Sequence, residues 1–125
     1  MRSRNCSTPA HGYQSAAFLV QSDGMRKWSS PLPFTAMSER RVPNRPGVYV
    51  LLRDETDPSS VLKIASSRSL RGAFSQIRLE PAGNWPVRPT GFLYFESLSE
   101  SEEATRFLAE FRDRRGQRPM YNSGF

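Results

Sequence analysis

The chain has 125 residues, with 18 lysines and arginines against 12 acids and a formal net charge of +6. This length fits a single domain. One cysteine, Cys6, excludes an internal disulfide framework, and one histidine, His11, leaves too few ligands for a Cys/His zinc site. No apolar run is long enough to span a membrane. We therefore expect a cytoplasmic protein with no membrane partner, and its basic character favours a polyanionic partner such as nucleic acid.

The chain before the predicted core divides into two parts. Residues 1–24 are predicted to be a disordered N-terminal extension, because they are rich in small polar residues and follow no hydrophobic period. An organellar presequence is the alternative, since most of this stretch is free of acids. Residues 25–45 are predicted to be a lead-in segment, in which Thr35 caps a short helix over Ala36–Arg41. Residues 46–125 are then predicted to form the domain proper.

The domain is organised around a predicted β-hairpin. Gly47–Leu52 is a continuous run of apolar, β-branched and aromatic residues, which predicts a buried strand. The polar segment RDETDPSS follows, and its Asp, Pro and Ser residues are typical of a surface turn. Val61–Ala65 is the second predicted strand, and a short polar loop between two strands favours antiparallel pairing.

A predicted helix follows the hairpin, with Ser67 as its cap and residues 68–78 as its body. One side of this helix is apolar at the spacing of a core-facing stripe, which comprises Leu70, Ala73, Phe74 and Ile77. Another side carries three arginines, Arg68, Arg71 and Arg78. We interpret this second side as either an ordinary solvated surface or a nucleic-acid-binding surface.

The last third of the chain is predicted to add one strand and one helix. Gly91–Leu98 is apolar on both faces for most of its length, as expected of a central strand. The helix is predicted to begin with a capping box at Ser99 or Ser101, to run to about Arg115 and to end at Gly116. The expected fold class is α+β, with a small three-stranded antiparallel sheet flanked by helices.

Four short motifs occur in order along this domain. They are Gly47-Val48-Tyr49, Lys63-Ile64-Ala65, the segment SSRSLR at residues 66–71, and a helix from Glu103-Ala104 to Glu110 followed by Pro119-Met120-Tyr121-Asn122. Their order and spacing resemble the GIY-YIG nuclease domains, whose first strand ends Gly-Ile/Val-Tyr and whose second carries Tyr-Ile-Gly. The resemblance covers about residues 43–122 and implies the same α+β order of elements.

The resemblance also implies a mechanism, which is metal-assisted attack of water on a DNA phosphodiester. Carried over by position, Glu110 would hold one divalent cation, Mg²⁺ or Mn²⁺, and Tyr49 would help to activate the water. An arginine on the middle helix of the family stabilises the charge that develops in the transition state. Asn122 would lie at the edge of the site or support the structure.

The chain departs from the family at the positions that carry this chemistry. The second-motif tyrosine is Lys63, and the glycine of that motif is Ala65. The position of the catalytic arginine, ten residues after Lys63, is Ala73. Arg71 does not substitute for it, because two residues along a helix turn the side chain by about 160°. Lys63 is a candidate cation that supplies part of the missing charge.

The sequence therefore leaves several functions open. We favour a diverged GIY-YIG-like domain that binds nucleic acid, DNA above all, with weak or no endonuclease activity and no cofactor requirement. The alternatives are an active endonuclease with a rearranged site, which would use Glu110, Tyr49 and Lys63 with Mg²⁺ or Mn²⁺, and a protein-interaction module on the same fold. A chance match in an unrelated α+β protein is a weaker reading.

Overall fold

The structure, a computed structural model, describes residues 28–122, which form four strands and three α-helices. The strands are β1 (Leu32–Pro33), β2 (Gly47–Leu52), β3 (Val61–Ser67) and β4 (Gly91–Glu96). The helices are α1 (Ala36–Glu39), α2 (Leu70–Leu79) and α3 (Glu100–Arg115), and short 3-10 turns lie at Ala82–Asn84 and Met120–Asn122. The predicted α+β class is confirmed. The extension predicted at residues 1–24 lies outside the described residues.

β2 is the central strand, with β3 on one side and β4 on the other, both antiparallel to it. All its residues are buried, as the uninterrupted apolar run predicts for a strand covered on both faces. Tyr49 lies opposite Tyr94 of β4, and Leu51 lies opposite Lys63 of β3. Alternate residues of a strand and directly opposed residues share a sheet face, so Tyr49 and Lys63 project from the same face.

A fourth strand shows that the predicted three-stranded sheet is wrong. β1 pairs antiparallel with the outer edge of β4, with Leu32 opposite Phe92. Just upstream, the N–H of Ser29 donates to the carbonyl of Tyr94 at 2.8 Å, and the Ser29 hydroxyl accepts from the Tyr94 N–H at 3.0 Å. Pro33 lacks an N–H group, which an edge strand tolerates. The sequence pattern missed β1 because two residues among prolines carry no periodic signal.

The sheet separates two apolar clusters, and the two long helices cover opposite faces. The cluster beneath α3 includes Val48, Val50, Ile64, Phe107 and Phe111. The cluster beneath α2 includes Tyr49, Leu51, Leu70, Phe74 and Phe92. Any side chain of α3 that contributes to a site on the α2 face would therefore have to reach past the edge of the sheet.

The lead-in segment packs on both faces of the sheet. The ring of Trp28 lies edge-to-face on Phe95 beneath α3, with centroids 4.7 Å apart. The ring of Phe34 stacks on Phe74 beneath α2 at 4.8 Å. The predicted cap of α1 is confirmed, since Thr35 Oγ1 accepts the N–H of Ser38 at 3.0 Å, although α1 ends at Glu39, before the predicted Arg41.

The predicted start of α2 is wrong by two residues. Ser69 is the cap, and its hydroxyl accepts the N–H of Gly72 at 3.0 Å. Ser67 instead ends β3, because the strand continues two residues beyond the predicted Val61–Ala65 and uses the Ser67 hydroxyl to contact the backbone of Ser69. Arg68 therefore lies ahead of the helix.

The predicted capping box of α3 is also wrong. Ser99 precedes the helix, but its side chain makes no capping hydrogen bond. The buried Glu103 carboxylate instead accepts from the hydroxyl of Ser97 at 2.5 Å, and the same hydroxyl accepts the N–H of Ser99 at 3.0 Å. The C-terminal end agrees with the prediction, since α3 ends at Arg115 and Gly116 adopts a left-handed φ of 80°.

Candidate functional site

A cleft of about 220 Å³ opens on the α2 face of the sheet, between the sheet and α2. Its lining includes Tyr49, Lys63, Ala73, Gln76, Glu80 and Trp85. We call it the Tyr49–Lys63 cleft. Tyr49, Lys63 and Ala73 lie on β2, β3 and α2, and they are the positions where the resemblance expects two tyrosines and an arginine.

Tyr49 is a buried residue in the lining of the cleft. Its side chain is only 8% exposed, and its ring stacks on Phe92 with centroids 5.3 Å apart. Burial raises the pKa of the Tyr49 hydroxyl above its ordinary value, because ionisation would place a charge in an apolar setting. The hydroxyl is therefore neutral at pH 7, where it can donate a hydrogen bond but is a poor base.

Lys63 is the cation of the cleft. It lies half-buried on β3, and it forms no ion pair with any residue between 28 and 122. The neighbouring carboxylate of Glu80 accepts instead from the side-chain amide of Asn84. An ammonium group with no carboxylate bound to it is available to an anion from solvent.

Three further lining residues were not predicted from the sequence. Gln76 and Glu80 follow Ala73 by three and seven positions along α2, so helical spacing from Ala73 could have found them. Trp85 lies in the loop after α2, where no periodic signal exists. Its Nε1 is buried without a hydrogen-bond partner among the described residues, and its ring contacts Tyr121 with centroids 5.1 Å apart.

Glu110 is not among the residues that line the cleft. It lies on α3, whose apolar stripe packs on the opposite face of the sheet. Its Oε1 is buried and accepts no hydrogen bond from any described residue. Within residues 28–122, no three carboxylate, histidine or cysteine side chains converge. A divalent cation enclosed by three or more such ligands therefore does not fit the described residues, so a cation bound at Glu110 would need water as most of its ligands.

Asn122 pairs with the free edge of β3. Its side-chain oxygen accepts the N–H of Ile64 at 2.8 Å, and its side-chain nitrogen donates to the carbonyl of Ile64 at 2.9 Å. The adjacent Tyr121 hydroxyl exchanges two hydrogen bonds with the backbone of Val87, at 2.6 and 2.9 Å. The Pro-Met-Tyr-Asn segment therefore anchors this end of the domain to β3 and to the loop after α2, and the oxygen and nitrogen of the Asn122 amide each make one hydrogen bond in this role.

The three arginines predicted to bind nucleic acid differ in their surroundings. Arg78 forms an ion pair with Glu39 at 2.9 Å, and both side chains are about one-quarter exposed, at 27% and 24%. Arg71 Nε donates to the carbonyl of Val42 at 2.7 Å. Arg68 is exposed and makes no hydrogen bond or ion pair with a described residue. Two of the three thus hold the lead-in segment against α2, and Arg68 is the one left unengaged.

Comparisons with known proteins found no matching family model, no similar curated protein and no similar solved structure. The GIY-YIG resemblance therefore stays a prediction. Among the described residues, no helix has the length and apolar character needed to cross a membrane.

Proposed function

We propose that this chain is a diverged GIY-YIG-like domain that binds nucleic acid, DNA above all, and hydrolyses phosphodiesters weakly or not at all. One observation carries the proposal. Tyr49 and Lys63 come from the first two motifs of the resemblance, and Ala73 stands where the resemblance expects an arginine; all three line one cleft on one face of the sheet. The resemblance requires these three positions to share one site, and the cleft is consistent with that requirement.

The chemistry of the cleft favours binding over cleavage. A phosphate there would meet the Lys63 ammonium and the neutral Tyr49 hydroxyl, both of which can donate hydrogen bonds. Where the resemblance expects the arginine that stabilises the transition state, this chain has Ala73, whose methyl group cannot donate a hydrogen bond. Arg71 does not take its place, because its guanidinium is bonded to the Val42 carbonyl. Loss of one preorganised donor to developing charge costs about 10²–10³-fold in rate.

A second function, an active endonuclease with a rearranged site, is favoured by one observation. The buried Oε1 of Glu110 has no partner among the described residues, and an orphaned carboxylate oxygen is suited to a divalent cation. In that case Glu110 would hold Mg²⁺ or Mn²⁺, which supplies Lewis-acid stabilisation of phosphate charge. Its place on the helix beneath the opposite face of the sheet argues against direct cooperation with Tyr49.

The proposal is tested by fluorescence anisotropy with labelled duplex and branched DNA at about 50 mM salt. We expect saturable binding that weakens steeply as salt is raised. Lys63→Gln should weaken binding, whereas Lys63→Arg should retain it, because arginine keeps the charge in the cleft. If the wild-type chain shows no binding at low salt, the nucleic-acid proposal is wrong and a protein-interaction role is favoured instead.

A further inference from the structure

An unusually basic surface lies at the N-terminal end of α2. It is built from residues 40–45 (RRVPNR) and residues 66–71 (SSRSLR), which together carry five arginines and no acid. The five are Arg40, Arg41, Arg45, Arg68 and Arg71, and all are exposed. We call this surface the basic junction. Only two of its arginines, Arg68 and Arg71, belong to the set predicted from helical spacing.

The two segments of the basic junction are tied together by backbone hydrogen bonds. The N–H of Leu70 donates to the carbonyl of Arg45 at 2.9 Å, and the N–H of Arg71 donates to the carbonyl of Pro43 at 3.1 Å. The hydroxyl of Ser69 adds a bond to the Asn44 side chain at 2.5 Å. The backbone that carries the five guanidinium groups is therefore fixed before any partner binds.

Most of the positive charge of the basic junction is available to a partner. The side chains of Arg40, Arg41 and Arg68 make no hydrogen bond or ion pair with a described residue. Arg45 pairs with Glu96 at 3.4 Å, but the two side chains are 67% and 51% exposed, so this pair is weak and readily exchanged.

The backbone of α2 does not supply the binding groups. The N–H groups of Leu70 and Arg71 are bonded to the 40–45 segment, and those of Gly72 and Ala73 are bonded to Ser69. Any anion at this end of α2 would therefore be bound by the arginine side chains alone. Exposed guanidinium groups spread over two adjacent segments fit an extended row of phosphates better than one small anion, which needs several donors at a single point.

We propose that the basic junction is the surface that contacts the phosphate backbone of the bound nucleic acid. This inference rests on the proposed function. It differs from the surface predicted from the sequence, because it leaves out Arg78 and adds Arg40, Arg41 and Arg45. The junction also borders the cleft face, since the Tyr94 hydroxyl, opposite Tyr49 in the sheet, approaches the Arg41 carbonyl at 3.5 Å.

The chain offers a matched control at the other end of the sheet. Arg112 and Arg118 are exposed, and their side chains make no hydrogen bond or ion pair with a described residue. Arg118 lines a groove with Val61, at the opposite end of β3 from Ser67. The double variants Arg41→Gln/Arg68→Gln and Arg112→Gln/Arg118→Gln thus remove the same charge from two separate surfaces.

The experiment measures duplex DNA affinity of the wild type and both double variants between about 50 and 200 mM salt, with thermal melting of each protein to verify folding. For the junction variant we expect a slope of log affinity against log salt that is shallower by about 2. Its affinity at about 0.1 M salt should fall on the order of 10- to 100-fold. The Arg112/Arg118 variant should stay within about threefold of wild type, because it loses no phosphate contact.

The possible outcomes separate this inference from the proposed function. If the wild type binds DNA and the junction variant binds it equally well, or if both variants lose the same affinity, the basic junction is not the contact surface. Nucleic-acid binding itself would then still stand. Absence of wild-type binding would overturn both. Selective loss in the junction variant supports the inference.

Discussion

Gly47, the first residue of the central strand, offers the sharpest test of the packing that positions the cleft. It is buried where β2, β4 and α2 meet. A Cβ atom added at Gly47 would overlap the carbonyl oxygen of Phe95, and it would lie 2.7 Å from Leu70 Cδ1 and 3.1 Å from Glu96 Cα. Two of these three obstacles are backbone atoms of the neighbouring strand, which side-chain rotation cannot relieve.

The magnitude follows from these distances. Carbon atoms in contact ordinarily lie about 3.5–4.0 Å apart. The Gly47→Ala variant would therefore force β4 and the start of α2 away from β2 by on the order of 1 Å. Overpacking of this kind costs about 1–3 kcal/mol and occasionally more, and a backbone obstacle favours the upper end. A loss of about 3 kcal/mol lowers the Tm of a domain of this size by about 12 °C or more.

Gly83→Ala is the matched control, because nothing lies within 4 Å of a Cβ added at Gly83. Its free energy of unfolding should stay within about 1 kcal/mol of wild type. Urea unfolding, followed by the fluorescence of Trp28 and Trp85, measures both variants. A Gly47→Ala protein as stable as the Gly83→Ala control would refute the close approach of β2, β4 and α2.

Three further variants test individual contacts. Asn122→Asp keeps an acceptor for the Ile64 N–H but places a carboxylate oxygen against the Ile64 carbonyl, so it should lower the free energy of unfolding by about 1–3 kcal/mol. Thermal melting measures this loss, and an unchanged Tm would contradict the pairing of Asn122 with the edge of β3. The pKa of Tyr49 is raised by burial, so the unfolded chain ionises at this residue first as pH rises past about 10, and the contribution of Tyr49 to folding stability is complete below that pH and is lost above it. Tyr49→Phe should therefore flatten the fall of the urea unfolding midpoint at high pH, and an equally steep fall in the variant would contradict the burial of the hydroxyl. Arg78→Gln should cost about 0.5–1 kcal/mol through the lost pair with Glu39 and leave DNA affinity within about twofold, whereas a large loss of affinity would restore Arg78 to the binding surface.

The central hairpin could be predicted because its sequence signal is local and redundant. The apolar run gives β2 its observed bounds, Gly47–Leu52, and the polar turn fixes where β3 begins, at Val61. The cap of α1 at Thr35 and the end of α3 at Gly116 were predicted for the same reason, since the chemistry that decides them lies within a few residues.

Two of the predictions that failed, the cap of α2 and the number of strands, depend on contacts between distant segments. Ser67 and Ser69 are equally good caps in sequence, and the pairing of Ser67 with Gly47 in the sheet decides between them. β1 exists only because the edge of β4 offers it hydrogen bonds. Helical spacing found an arginine-bearing side of α2, but it could not reveal that the lead-in segment occupies Arg71 and Arg78.

The candidate site could likewise be predicted only where it depends on local sequence. Strand alternation and register could anticipate that Tyr49 and Lys63 share a face, because both follow from a hairpin that the sequence specifies. The position of Glu110 could not be anticipated, since the face that a helix covers is decided by the path of the chain after β4. Its orphaned Oε1 is a feature of three-dimensional packing alone.

Nucleic-acid binding without efficient cleavage can be tested in one assay that records both. Branched and duplex DNA are incubated with the wild-type chain and with Glu110→Ala in Mg²⁺ or Mn²⁺, and bound fraction and cleaved product are read from parallel samples. We expect both proteins to bind and neither to yield more than a little product. Rapid cleavage by the wild type that disappears in Glu110→Ala would contradict it and establish an active endonuclease.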